Sequence, residues 1–259
     1  MAGPANEIGS KAWVEFVRTS PLARNPLGRS RPTQRFAPPA LPCSGKSAVA
    51  EGGNELTLLL LVDLMFGMGL VKWFKEQPFR LTEADHGIDA VPDMMFEWMS
   101  GGLQVVEVKS KRYLNVEEEA KCRRVAGVLE KGAVSYALLT DKDHLAEPLW
   151  TNVRNIALAA ASAVPPEQIE RGKAALDVGP VSIRDLALRG IPLEAVRVLL
   201  ARGHAFYNLR DRESVNTVVS PTLDPGPYEE LFGAKPTAER WWSSLPLWTP
   251  LSAGVGGQQ

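Results

Sequence analysis

Cysteine and histidine are scarce in this chain of 259 residues. The two cysteines, Cys43 and Cys122, form no CxxC pair. The three histidines are scattered, without the spacing of zinc ligands or of a catalytic triad. This composition argues against a disulfide-rich secreted fold and against a structural zinc site. A reduced, cytoplasmic protein fits best.

Long uninterrupted hydrophobic runs are also missing. The longest apolar stretch, LTLLLLVDLMFGMGLV at residues 56–71, is interrupted by Asp63 and is short for a bilayer span. The first residues include Glu7 and Lys11 and lack the apolar core of a secretory signal. We therefore expect this stretch to form a buried helix, and we expect no association with a membrane.

A large net charge is absent, so any binding of nucleic acid requires a local basic surface; the formal charge is −1. One segment is suited to it, because residues 16–50 contain no Asp or Glu but six basic residues. The segment is rich in proline, so we expect it to be extended and to build no core. It is either a solvated linker or an arm that binds a phosphate backbone through Arg29, Arg31 and Arg35.

The stretch CSGKS, residues 43–47, ends like a phosphate-binding Walker loop. The full pattern needs a glycine at position 40, where this chain has Ala40, and a strand before the loop. The preceding residues, PPALP, do not favour a strand. We therefore do not predict a nucleotide site here.

Patterns of apolar residues predict an α/β (α+β) protein. A central helix is expected over residues 54–66, because leucine covers nearly all of its faces. Short strands, a hairpin with its turn at residues 100–102, an amphipathic helix from Asn115 to Gly132 and another strand follow. This order predicts a mixed sheet flanked by helices.

The character of the chain changes after residue 143. Helical patterns continue to about Arg202, with Pro192 at the first position of the last helix, and two short strand patterns follow. A helix-turn-helix followed by a hairpin predicts a winged-helix-like unit, in which Arg197 and Arg202 are candidate DNA contacts. Such units also serve as protein docking modules. The tail, residues 223–259, is rich in proline and tryptophan and either packs on the body or docks a partner.

Three charged residues interrupt the apolar hairpin. Residues two apart in a strand point to the same face, so Glu107 and Lys109 project together while the flanking valines face the core. Antiparallel pairing about the turn places Asp93 opposite this pair. Two acids and a lysine that converge on an apolar sheet need compensation, and two carboxylates suit Mg2+ or Mn2+. The plain alternatives are a strand-end Asp93 and an exposed cross-strand pair.

The spacing of these residues resembles that of the PD-(D/E)xK nucleases. Pro92 and Asp93 are followed, 14 residues after the aspartate, by a Glu-Val-Lys sequence that ends at Lys109. The resemblance implies a restriction-endonuclease-like fold in which Asp93 and Glu107 bind metal. It also implies that Lys109 orients the attacking water and helps to deprotonate it.

An acid from the helix before the sheet often completes the site in these nucleases. Glu55 occupies that position here, and Glu51, one turn earlier, is the less favoured choice.

The order of motifs is similar to that of the TnsA-like transposon endonucleases, well over residues 50–140 and only in general pattern over 150–220. In that family the helical glutamate precedes a strand with a Glu-Gln-Pro sequence, here ending at Pro78. Gln77 is then expected to support the site from behind. Lys111 and Arg112 are expected to touch phosphate, with a solvated charge cluster as the alternative.

The patterns and the resemblance together predict boundaries between domains, although the N-terminal arm and the tail lie outside the resemblance. An N-terminal helix and a basic Pro/Arg-rich arm are expected over residues 1–47, and the nuclease domain over 48–150. The winged-helix-like domain follows over 151–222, and the tail covers 223–259.

The function implied by the resemblance is hydrolysis of one DNA strand, the 5′ end, at transposon ends, with Mg2+ or its substitute Mn2+. The implied partners are double-stranded DNA, a DDE-type transposase subunit that cuts and joins the other strand, and an AAA+ transposition regulator. The implied location is the nucleoid of a prokaryotic cytoplasm. The alternatives are a stand-alone restriction, repair or junction nuclease and a catalytically silent DNA-binding or assembly adaptor.

Overall fold

The computed structural model describes residues 7–23, 40–50, 52–83, 87–142 and 144–233. Several residues on which the predictions depend lie outside these ranges: Arg29, Arg31, Arg35, Glu51, one of the three histidines, His86, and the tryptophans of the tail, Trp241, Trp242 and Trp248. The predictions about them therefore remain predictions.

The described chain alternates helices and strands. The strands are β1 (Val71–Glu76), β2 (Leu81–Glu83), β3 (Ile88–Ala90), β4 (Met94–Trp98), β5 (Leu103–Lys109), β6 (Val134–Thr140), β7 (Val181–Ser182) and β8 (Val218–Val219). The helices are α1 (Lys11–Thr19), α2 (Gly53–Gly67), α3 (Val116–Lys131), α4 (Leu149–Ala160), α5 (Pro166–Leu176), α6 (Ile183–Leu188), α7 (Leu193–Ala201) and α8 (Gly226–Leu231).

The central sheet has the strand order β1-β4-β5-β6. Strands β1, β4 and β5 pair antiparallel, whereas β5 and β6 pair parallel because α3 crosses over between them. Helix α3 begins where the side chain of Asn115 accepts a hydrogen bond from the Glu118 N–H at 2.9 Å, and it ends at Gly132. The mixed sheet flanked by helices that the sequence predicted is confirmed.

The register of the β4–β5 hairpin positions the charged residues. Gly101 and Gly102 adopt φ angles of +93° and +90° in the turn, a region that favours glycine. Met94 pairs with Val106, so continuing the register by one residue sets Asp93 beside Glu107.

The sheet separates two apolar cores. Val106 and Val108 pack on the α2 side, while Met95 and Val105 pack on the side of α1 and α3. Helix α2 is buried around most of its circumference, as predicted for a central helix. Because successive residues of β5 alternate between the faces, Glu107 and Lys109 lie on the α3 side.

The proline-rich segment predicted to build no core contributes to one core at its described end. Leu41 is buried with α2, whereas Val17 belongs to α1 and is buried on the other side of the sheet. The prediction was therefore wrong for Leu41, because an isolated apolar side chain reaches the core from an otherwise polar segment.

Helices α4 to α7 pack beside the sheet, with α4 contacting α2 and α7 contacting α4 and α5. Strand β7 pairs antiparallel with β8, and Phe206 forms a single bridge to Ser220 on the other side of β8. Ser182 caps α6, because its hydroxyl oxygen accepts a hydrogen bond from the Asp185 N–H at 3.0 Å. Within the described ranges, none of the helices has the length and apolar character needed to cross a membrane.

Candidate active site

Asp93 precedes β4 and is held by backbone hydrogen bonds. Its Oδ2 accepts a hydrogen bond from the Val108 N–H at 2.8 Å. Its main-chain carbonyl accepts one from the Gln77 N–H at 2.9 Å. The carboxylate is therefore fixed on the edge of the hairpin beside Glu107, where the sequence placed it.

The carboxyl groups of this site repel one another. Burial raises the pKa of Asp93 well above its usual range, and the charges of Glu107 and Glu55 raise it further. The Val108 N–H and the Lys109 ammonium oppose the shift without cancelling it. The structure thus brings Asp93 and Glu107 together, with Glu55 near enough for its charge to act on Asp93. An added cation would relieve this repulsion.

Lys109 is paired with Glu107, with 2.5 Å between Nζ and Oε1. Their side chains are 33% and 14% exposed, so the ion pair is shielded from most of the solvent. Burial alone lowers the pKa of Lys109, but the charge and the hydrogen bond of Glu107 outweigh it and raise the pKa above its usual value. Lys109 therefore carries its proton at neutral pH.

A cleft of about 350 Å³ opens in front of this pair. It lies between the β2–β3 hairpin and α3, and its walls include Glu107, Lys109, Arg80, Asp89 and Lys121. The walls thus carry both basic and acidic groups. The basic groups can bind a phosphodiester, whose charge the acids tolerate once a cation neutralises them.

Two residues behind Glu107 were not identified from the sequence. Tyr136 and Cys122 line the cleft next to Glu107 and share a hydrogen bond. Burial, followed by the charge of Glu107, raises the pKa of Tyr136 well above its usual value. The side chain of Tyr136 is therefore a neutral phenol at physiological pH.

Gln77 contacts Asp93 through its main chain. It is 2% exposed and has a φ angle of +40°, in the left-handed region that non-glycine residues rarely adopt. Its contact with Asp93 uses the main-chain N–H. The support is thus given through the backbone, which favours a role in holding the chain before Asp93.

The CSGKS loop binds a carboxylate of the protein itself. The backbone N–H groups of Cys43 and Ser44 each donate to Asp63, at 2.9 Å to Oδ2 and Oδ1 respectively. Lys46 donates to the Phe74 carbonyl at 3.0 Å and lies 4.3 Å from the centre of the Phe74 ring. Loop donors that would hold a phosphate in a Walker loop here anchor the loop to α2.

The loop after β5 is fixed by Asp141, another residue that the sequence did not single out. Asp141 accepts hydrogen bonds at 2.8 Å from the Ser110 hydroxyl and from the Lys111 N–H. These donors, the Lys111 N–H first, lower its pKa. Lys111 and Arg112 are exposed on this loop, which fits both the predicted contact with phosphate and the alternative of a solvated charge cluster.

Arg197 is engaged inside the protein. Its Nε donates to Glu213 at 3.2 Å, and the two side chains are 17% and 11% exposed. The rest of α7 is largely buried against α4 and α5. This packing argues against the predicted contact of Arg197 with DNA and against α7 as a helix that enters a groove. Arg202 is exposed where α7 ends, and its contact with DNA remains a prediction.

The donor set fits a magnesium ion better than a closed metal cage. In the part of the chain that the structure describes, no three His, Cys, Asp or Glu side chains form a ready cluster for a metal. Mg2+, however, usually uses one or two carboxylates and keeps waters and substrate phosphates as its other ligands. Asp93 and Glu107 supply two such carboxylates, and the mutual repulsion of the acids is consistent with a cation between them.

Comparison with known protein families found no family model that matches the chain, and comparison with curated proteins found no significant match. The geometry of the site and the resemblance of its motifs are therefore the features that point to a function.

Proposed function

We propose that this chain is a metal-dependent DNA endonuclease. One observation carries the proposal: Asp93, Glu107 and Lys109 meet at the edge of the hairpin, with Glu55 in electrostatic reach, in front of a polar cleft. Acids that converge half-buried beside one lysine cost stability, and such clusters are typical of functional sites. Hydrolysis of a phosphodiester uses each member of the cluster.

The residues take distinct roles. Asp93 and Glu107, with Glu55 as the third acid, would hold Mg2+, for which Mn2+ can substitute. The bound ion supplies charge stabilisation and a more acidic water. Lys109 is protonated in the free protein and donates towards Glu107, so it can orient a water or a phosphate oxygen in the cleft. Asp93 stays in place because its carboxylate and carbonyl are both hydrogen-bonded to neighbouring strands.

The more specific proposal is a TnsA-like nuclease of the restriction-endonuclease-like fold. It is supported by the order of motifs from Glu55 to Lys109 and by the antiparallel hairpin followed by a crossover helix and a parallel strand. The order α5, β7, α6, α7, a bridge at Phe206 and β8 supports a winged-helix-like unit after it. The substrate would be double-stranded DNA at transposon ends, and the partners a DDE-type transposase subunit and an AAA+ regulator.

Titration of Mn2+ by calorimetry in the presence of duplex DNA tests the metal site without requiring partners. We expect binding to the wild type, and loss of that binding in Asp93→Asn and Glu107→Gln. Glu170→Gln is the matched control, because Glu170 is an exposed acid paired with Lys173 at 2.9 Å on α5. Equal binding by all four proteins would refute the metal site.

Cleavage of a labelled duplex then distinguishes the enzymatic alternatives. Cutting by the chain alone would favour the stand-alone nuclease, whereas cutting only with added transposase would favour the transposon function. Lys109→Met is expected to abolish cutting while Mn2+ binding is retained, because the lysine is a positioning group and no metal ligand.

The silent adaptor is favoured by one observation, the direct ion pair between Lys109 and Glu107 on one face of β5, because a purely structural role would also leave these two charges paired with each other. It predicts DNA binding with no dependence on Mn2+ and no loss of binding in Asp93→Asn. Those two results together would replace the nuclease proposal.

A further inference from the structure

Arg80 and Asp89 form a two-pronged ion pair at the rim of the cleft. Arg80 Nε donates to Asp89 Oδ1 at 2.7 Å, and Nη2 donates to Oδ2 at 2.6 Å. The two side chains are 60% and 59% exposed. A guanidinium that holds a carboxylate through two parallel bonds has the geometry with which it also holds a phosphate.

The pair shares its cleft with the proposed active site. Asp89 belongs to β3, which packs against α3, and Arg80 immediately precedes β2. Glu107 and Lys109 line the same cleft, and the charge of Lys121 acts on Asp89 from α3. Arg80 beside β2 and Lys121 on α3 are therefore two cations that act on Asp89 in this cleft.

The ion pair is easily exchanged because water and salt screen it. Exposed ion pairs contribute little to stability, so the fold does not depend on this contact. A DNA phosphate offers oxygens to the same fork and also gains the charge of Lys121. Arg80 can therefore leave Asp89 and bind a DNA phosphate with little loss of folding stability.

We propose that Arg80 is a positioning residue for a DNA phosphate next to the scissile one, and that Asp89 holds its place in the free protein. By occupying Arg80, Asp89 lowers the affinity of the protein for DNA. Only a ligand with two oxygens that match the paired N–H groups of the guanidinium can replace Asp89. This inference rests on the proposed function for the identity of the ligand, but it concerns binding and requires neither metal nor cleavage.

The test measures the affinity for a generic 25-base-pair duplex by fluorescence anisotropy over a range of salt concentrations, in EDTA. All proteins carry Asp93→Asn to block cleavage. We expect Arg80→Ala to weaken binding about tenfold and to reduce the salt slope by about one unit, the signature of one lost phosphate contact. Arg80→Lys should restore part of the affinity, because it keeps the charge but loses the fork.

The contribution of Asp89 is tested by the opposite change. Asp89→Asn is expected to strengthen binding several-fold, and this gain should disappear when Arg80→Ala is also present. Glu170→Gln, which removes the same charge from an exposed pair on α5, is the control and should leave the affinity nearly unchanged. A gain that persists without Arg80, or an Arg80→Ala variant that binds like its parent, overturns the inference.

The outcomes separate this inference from the proposed function. If the Arg80 series behaves as expected but the unblocked protein shows no metal binding and no cutting, the cleft is a DNA site and the nuclease proposal fails. If cutting is observed but the Arg80 variants bind DNA as tightly as their parent, only the inference about Arg80 fails. Absence of DNA binding by every protein overturns both.

Discussion

Replacement of Asp63 by alanine is expected to destabilise the protein without altering the proposed active site. Asp63 lies in α2 and is fully buried, and its two carboxylate oxygens each accept a loop N–H at 2.9 Å. A hydrogen bond to a charged group contributes about 1.5–3 kcal/mol to stability. Both bonds are lost together, but the loop is partly exposed and its N–H groups regain some water. We therefore expect the free energy of unfolding to fall by about 2–4 kcal/mol.

Urea unfolding at pH 7 measures this loss directly. Asp63→Asn should lower the free energy of unfolding about as much as Asp63→Ala, since the amide keeps one acceptor but turns a donor towards the second N–H. Glu170→Ala is the control, because an exposed acid on α5 should change the free energy of unfolding by no more than about 0.5 kcal/mol. The dependence on urea should keep the same slope, as the surface exposed on unfolding is unchanged.

A second readout comes from Cys43, whose backbone N–H binds Asp63. Its thiol contacts the Ala201 carbonyl at 3.3 Å, and burial first, then the charge of Asp63, raises its pKa. Asp63→Asn should therefore accelerate the reaction of Cys43 with a disulfide reagent at pH 8. A loss of less than about 1 kcal/mol in Asp63→Ala, together with unchanged labelling of Cys43, would refute the anchoring role of Asp63.

Three further predictions follow from the packing and charges of the site. Asp93→Asn should melt at a higher temperature than the wild type in metal-free buffer at pH 7, because the neighbouring Glu107 and burial disfavour its ionised form. A folded-state pKa above the unfolded value makes the wild type lose stability as pH rises, so the difference should shrink towards pH 4; a difference independent of pH would contradict this cause. Arg197→Ala should lower the free energy of unfolding, measured in urea, by about 3 kcal/mol, because Glu213 loses its ion-pair partner inside the fold. The affinity for DNA should not change. A neutral effect on stability would contradict the observed packing of Arg197. Leu61→Ala should lower it by about 2–5 kcal/mol, and a loss below about 1 kcal/mol would mean that α2 is not central.

Much of the site could be predicted from local sequence. The turn at Gly101 and Gly102 specifies the register of the hairpin, and the register alone places Asp93 beside Glu107. The alternation of β5 places Lys109 on the same face as Glu107. These features depend on interactions among neighbouring residues or across one tight turn, and such interactions leave a pattern in the sequence.

Other predictions failed or were missed because they depend on distant contacts. Arg197 looked available for DNA on a helical pattern, but it is paired with Glu213, 16 residues away, inside the fold. Asp141 was overlooked, although it fixes the loop after β5 across 30 residues of sequence. A charged residue at the end of a strand looks the same in sequence whether it faces solvent or receives a hydrogen bond from another element.

The sequence by itself determined α2, α3, the hairpin and the pairing of an acid with the Glu-Val-Lys strand, since each follows from periodicity, caps and turns over a short stretch. Only the tertiary structure decided that the start of α2 brings Glu55 within reach of Asp93 and that Arg80 meets Asp89 at the cleft. It also decided that Asp63 is an anchor for the CSGKS loop. The physical reason is that the local sequence does not specify the partner of a carboxylate. The N–H group, cation or second acid that it contacts depends on how the helices and the sheet pack.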